Sequence, residues 1–190
     1  RAGILTVASN GALGNAANGV SLTSSNSLLR INGTFAASRT LTFSSTPLGV
    51  EVTTGNEFTV NQALAGGGTF FKTGPGIMTL GPAVDSSARS GATTSITGGI
   101  LRVQGPKNLS DTGIIALNGT SGTIEFLRDA DTTFPHTVTA DGTGTLHVDR
   151  AIGGSATNGR HTLGSLGMDT GALTVTGANG YGLTFGALTT

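Results

Sequence analysis

The chain has 190 residues, enough for one domain, with 32 glycines, no cysteine and a formal net charge of zero. Charged residues make up 11 % and aromatics 5 %, both low for a globular enzyme. Zero charge argues against nucleic acid and anionic membrane surfaces, the absence of cysteine excludes disulfides and thiolate metal sites, and no apolar run approaches the ~18 residues of a membrane helix.

A Gly/Thr/Ser-rich composition alone is compatible with disorder. The apolar residues, however, recur in short alternating runs, and that period points to ordered β structure. Residues 4–7 (ILTV) form the first such run. Residues 11–19 (GALGNAANG) hold too much Gly and Asn for a stable helix and read as a loop with one helical turn. VSLT (20–23), LLRIN (28–32), RTLTF (39–43), GVEV (49–52) and EFTV (57–60) follow. Each alternates, so one face is buried and the other wet, with Thr on the wet side.

The stretch from Gly66 to Gly105 organises the rest. Three runs, Thr69–Lys72, Ile77–Leu80 and Ile100–Val103, are separated by glycine corners at 66–68, 74–76 and 98–99. Runs of this length between Gly and Pro read as strands. Gly67, Gly68, Lys72, Thr73, Gly74, Gly76 and Leu80, then Gly98, Gly99, Leu101 and Val103, fall at the offsets Gly-Gly-x-Leu-x-Lys-Thr-Gly-x-Gly-x-x-x-Leu and Gly-Gly-x-Leu-x-Val. In this the stretch resembles the autotransporter-associated β-strand repeat of large secreted bacterial proteins. Phe71 stands where that family usually has a smaller apolar residue, Pro75 lies inside the turn, and the bend at Asp85–Arg89 is unusually charged. The resemblance implies a β-helical passenger segment whose repeats help it fold outside the cell.

Beyond this stretch come TIEFLR (123–128), HTVTA (136–140), TLHVD (145–149), HTLGSLG (161–167), ALTVTG (172–177) and GLTFGAL (182–188). No amphipathic helix of ten residues occurs, which excludes a βαβ architecture. Ile4–Val7 matches Ile100–Val103 at an offset of 96, Val20 and Leu22 match Ile115 and Leu117 at 95, and Leu29 and Ile31 match Ile124 and Phe126 at 95. Val50 and Val52 match Leu146 and Val148 at 96. This reads as a degenerate duplication, 3–98 and 99–190, within a single segment 1–190.

The expected fold is therefore all-β, a right-handed parallel β-helix with no substantial helix. Roughly sixteen strands at about three per coil give about five to six coils. An antiparallel sandwich is the rival, because Asn-Gly turn signals occur, for example at Asn32-Gly33 and Asn118-Gly119. The internal repeat favours the solenoid. The expected core includes Ile4, Val7, Val20, Leu22, Leu29, Ile31, Leu41, Phe43, Val50, Val52, Phe58, Val60, Leu80, Leu101, Val103, Ile115, Leu117, Ile124, Phe126, Val138, Leu146, Val148, Leu173, Val175, Leu183 and Phe185. Leu101 is its least secure member, because Ile100 beside it is equally apolar.

Chemistry is sparse. No P-loop, Gly-x-Ser-x-Gly elbow or calcium-binding nonapeptide is present. His136, His147 and His161 read as surface residues rather than a metal site. The best polar cluster is Glu125, Arg128, Asp129, Asp131, Asp141, His147, Asp149 and Arg150. Paired carboxylates on a solenoid face suit acid/base cleavage of polysaccharides. The favoured reading is plainer, the solvated flanks of two strands. Asn32, Asn108 and Asn118 each begin an N-glycosylation tripeptide, as chance predicts in a chain this rich in Asn, Gly and Thr.

The expectation is thus a non-enzyme with no catalytic, cofactor-binding or metal residues and no cofactor. It is a structural segment of a secreted or cell-surface bacterial protein, a passenger stalk or adhesin scaffold. Arg1 rather than Met opens the chain with no signal peptide before it, which reads as a mature or excised piece, without the C-terminal membrane barrel of many autotransporters. Its partners would be neighbouring repeats or identical subunits stacked end to end, with a surface glycan or host ligand left open. No nucleic acid and no membrane insertion are expected. The alternatives are a filament subunit and a glycan-active β-helix enzyme.

Overall fold

Nine strands stack side by side as one sheet of the computed structural model, which describes residues 3–44, 48–89 and 91–189. They are β1 (Ile4–Val7), β3 (Leu28–Ile31), β6 (Leu48–Val52), β9 (Phe70–Thr73), β11 (Thr93–Ile96), β13 (Gly113–Leu117), β15 (Thr132–Ala140), β17 (Arg160–Met168) and β19 (Gly182–Thr189). A second sheet faces it, with β4 (Phe35–Ala37), β7 (Glu57–Val60), β10 (Ile77–Leu80), β12 (Ile100–Val103), β14 (Gly122–Leu127), β16 (Thr143–Asp149) and β18 (Ala172–Gly177). A third sheet holds only β2 (Val20–Leu22), β5 (Leu41–Phe43) and β8 (Leu64–Ala65). All pairings among the described residues are parallel. This is a β-solenoid, and the hairpins that a sandwich needs are absent from the described residues.

The number of coils is about eight, not five to six. Leu29 pairs with Val50, 21 residues on, and Val50 with Lys72, 22 residues on. The coils are short because the third strand is dropped after β8. Eight steps at ~4.8 Å make a stack about 38 Å long. Two strands escape the alternation rule: β4 is only three residues, and β11 (Thr-Thr-Ser-Ile) reads as a polar bend. Parallel pairing on both sides overrides propensity there, burying Thr94, Ser95 and Ile96.

Inward side chains stack on their counterparts one coil away. In the second sheet one such row is Phe35, Phe58, Met78, Leu101, Ile124, Leu146 and Val175. The middle members are fully buried, each contributing about 1.5–3 kcal/mol relative to exposure. Aromatic contacts tie neighbours together: Phe35 meets Phe58 edge-on at 5.2 Å, and Phe126 lies 4.6 Å from Phe134 across the core. Of the expected core only Ile4 and Val175 are exposed, at 55 % and 48 %. Both sit in end coils with a neighbour on one side. Leu101 is fully buried, and Ile100 turns outward.

The 95-residue offset pairs strands of different sheets: Ile4–Val7 is in the first sheet and Ile100–Val103 in the second, and Val50 and Leu146 divide likewise. The repeat visible along the stack is the single coil. One coil departs from it. Thr132 pairs with His161, 29 residues on, because the connection between β16 and β17 runs through residues 150–159. That insertion positions the polar site.

Candidate functional site

Two kinds of polar feature stand out: buried cations that close the corners, and a groove on the outer face.

Phe70 and Lys72 share the inward face of β9, so strand geometry carries Lys72 into the core, where it is 0 % exposed. Its Nζ donates to the carbonyls of Thr73 (3.0 Å), Gly74 (2.9 Å) and Gly98 (3.1 Å). All three ammonium protons are thereby used. Burial pulls its pKa from 10.5 to about 8, with Glu51 opposing. Gly74 (φ 74°) and Gly99 (φ 65°) take left-handed conformations at these corners. A Cβ on Gly76 would strike the Thr53 carbonyl, and one on Gly99 the carbonyls of Gly74 and Gly76. The two halves of the Gly-Lys-Thr-Gly pattern thus form one corner assembly. Leu80, Leu101 and Val103 point into the core beside it, and Thr73 ends β9 half-buried.

Gly68 lies at a second such closure, where Gly67 is exposed. The buried Arg89 guanidinium donates to the carbonyls of Gly66, Gly68 and Leu109 and lies 5.8 Å from the Phe43 ring. Arg39, 2 % exposed, donates to the carbonyls of Asn10, Leu13, Gly14, Asn15 and Asn18 and to Asn10 Oδ1. It holds the first coil's 3-10 turn, Asn10–Leu13, in place. Asn108 is buried too, donating to the carbonyls of Gly81 and Val84, so its glycosylation tripeptide is inaccessible.

His136 and His161 correct the expectation of surface histidines: they are 2 % and 0 % exposed. The alternation carried this signal, since His136 shares a face with Val138 and Ala140, and His161 with Leu163. His136 Nε2 lies 3.2 Å from Ser110 Oγ, and burial lowers its pKa from 6.5 to about 4. His161 stacks between Phe134 and Tyr181, with Nε2 3.3 Å from the Asp149 carbonyl. Burial lowers its pKa as well.

The polar cluster divides. Asp141 lies apart, at the corner after β15. Asp129 accepts from the Ala151 amide (3.2 Å) and Asp131 from the Arg160 amide (2.7 Å), so these carboxylates anchor both ends of the 150–159 connection. Arg128 donates to the Gln104 carbonyl. The connection then walls a cleft of about 380 Å³ over the outer face of β14 and β16, lined by Glu125, His147, Asp149 and Arg150 together with Arg102, Leu127 and Asn179. Arg102, absent from the expected cluster, is its centre. It donates to Glu125 (2.6 Å) and to Glu57 (3.3 Å), which also accepts from Thr79 (2.8 Å). Asp149 Oδ1 accepts from Asn179 (2.7 Å) and the Arg150 amide (2.8 Å), and His147 Nδ1 lies 2.9 Å from Thr176 Oγ1. Among the described residues no three His, Asp or Glu are grouped to hold a metal ion. No helix of the described residues is long and apolar enough to cross a membrane.

No family model matches this chain, and neither does any curated protein or solved structure.

Proposed function

We propose that the chain is a structural, non-catalytic solenoid segment of a secreted or cell-surface bacterial protein, a passenger-like stalk or adhesin scaffold. One observation carries this reading: the parallel ladder runs through about eight coils, and its corners are closed by buried Lys72, Arg89 and Arg39 acting on backbone carbonyls. Such a stack resists proteases because few main-chain segments are both exposed and unpaired. It suits a spacer, and the resemblance of the 66–105 stretch to autotransporter repeats points the same way.

Single-molecule pulling and limited proteolysis test it. A stalk unfolds coil by coil at sustained force and survives protease under conditions that digest an unstructured chain of like composition. A panel of polysaccharides tests the catalytic rival. The parent is expected to release no product, and Glu125→Gln, Asp129→Asn, Asp131→Asn combined is expected to keep the fold. Product release by the parent, lost in that triple variant, refutes the non-catalytic reading.

A filament of identical subunits is the second reading. It is favoured by apolar side chains on both end coils, Leu5 (49 %) at one end and Leu188 (67 %) at the other, beside strand edges that further coils or a second copy would pair. Concentration-dependent sedimentation of the parent, abolished by Leu188→Lys, is its signature.

A further inference from the structure

We infer that the outer face beside the 150–159 connection is a binding groove for an uncharged linear polysaccharide, which it holds without cleaving. The cleft over β14 and β16 does not stand alone. It shares Leu127, Ala151 and Ile152 with a neighbouring cavity of about 250 Å³, which in turn shares Pro82 and Arg128 with a third of about 260 Å³. The three form a continuous trough, the shape of an extended chain rather than a compact metabolite.

The free hydrogen-bonding groups identify the ligand class. Among the described residues, Glu125 Oε1, Asp149 Oδ2, His147 Nε2 and the Arg150 guanidinium make no hydrogen bond, although the other half of each of the first three groups is fixed by a partner. These groups are acceptors and donors side by side. The formal charges of Arg102 and Arg150 cancel those of Glu125 and Asp149, so the cleft favours neither a polyanion nor a polycation. Sugar hydroxyls donate and accept at once and match that mixture. Leu127 in the floor and Ile152, 59 % exposed on the rim, offer apolar surface to the C–H face of a pyranose ring. A peptide is a poorer match. The trough runs over paired strands, so its floor offers no free sheet edge for main-chain pairing.

Binding without cleavage follows from the placement of the carboxylates. Glu125 is committed to Arg102, and Asp149 to Asn179 and the Arg150 amide. Both are thereby held as hydrogen-bond acceptors, and neither is placed as a proton donor to a glycosidic oxygen.

The test is a titration of the whole chain with neutral hexasaccharides of glucose, mannose, galactose and N-acetylglucosamine, followed by amide chemical shifts and calorimetry. Hexagalacturonate and an arginine-rich decapeptide are the controls. At least one neutral hexasaccharide is expected to bind with micromolar to millimolar affinity and to shift the amides of His147, Arg150 and Asn179. Arg150→Ala, at the start of the exposed connection, is expected to weaken binding tenfold or more, and Glu125→Gln similarly, with the melting temperature of Arg150→Ala unchanged. The proposal is overturned if no neutral hexasaccharide binds at 10 mM. It is equally overturned if Arg150→Ala and Glu125→Gln bind as the parent does, if hexagalacturonate or the peptide binds more tightly, or if the bound sugar is shortened over time.

Discussion

The Lys72 ammonium donates to the Gly98 carbonyl at 3.1 Å, joining positions 26 residues apart. The contact crosses from one coil's corner to the next. It explains why lysine and two glycine pairs recur together in this stretch: the cation fills the corner and the glycines leave room for it.

Replacing Lys72 with Met keeps the length of the side chain and removes the three donors. The carbonyls of Thr73, Gly74 and Gly98 then lose their charged partner. Each unsatisfied buried acceptor costs about 1–3 kcal/mol, partly offset because no charge is desolvated. The expected loss is roughly 2–3 kcal/mol, read as a lower denaturation midpoint at unchanged slope. A variant as stable as the parent refutes the corner role.

Gly74→Val and Gly67→Ala form a matched pair. Gly74 is at φ 74° with the Val52 carbonyl close behind it, so a β-branched residue there costs at least ~1–2 kcal/mol from backbone conformation alone. Gly67 is exposed, without left-handed backbone, and has open space where a Cβ would stand. Gly67→Ala is expected to change stability by less than ~0.5 kcal/mol. Thermal melts of both variants decide whether the corner, rather than glycine content, matters.

Acid weakens the fold through the buried histidines. The folded pKa of His136 is about 4, below the unfolded 6.5, so the unfolded chain binds the proton more readily between those values. Stability is therefore full above pH 6.5 and declines as pH falls toward 4, by up to about 3 kcal/mol for this group. His161 acts in the same direction. Melts from pH 7 to pH 4 should show the decline, and His136→Leu should flatten it. An unchanged slope in that variant rules out His136 as a source.

Arg39 fastens the first coil. Arg39→Met removes the donors to the 10–18 segment and leaves the strands intact. Amide exchange and proteolytic cleavage are expected to rise within residues 10–18 and to stay unchanged in β14 and β16. Uniform loosening instead would mean that Arg39 supports the whole stack.

Local periodicity alone determined the fold class and most of the core. Phe58 and Val60, or Leu101 and Val103, alternate with Thr and Arg, and a strand of any sheet turns such a pair the same way. The alternation also placed His136 beside Val138 and Lys72 beside Phe70, although a polar side chain at such a position reads as an exception until its partners are visible. Tertiary structure decided the rest. The coil count depended on β11 and β4, whose short or polar sequences become strands only between two neighbours. Arg39, Lys72 and Arg89 are buried because carbonyls from other corners, up to 29 residues away, satisfy them. The groove exists because the 150–159 connection folds back over β14 and β16, anchored by Asp129 and Asp131. Side-chain direction along a strand follows from backbone geometry within a few residues, whereas a buried charge or a cleft needs groups that meet only once the coils have stacked.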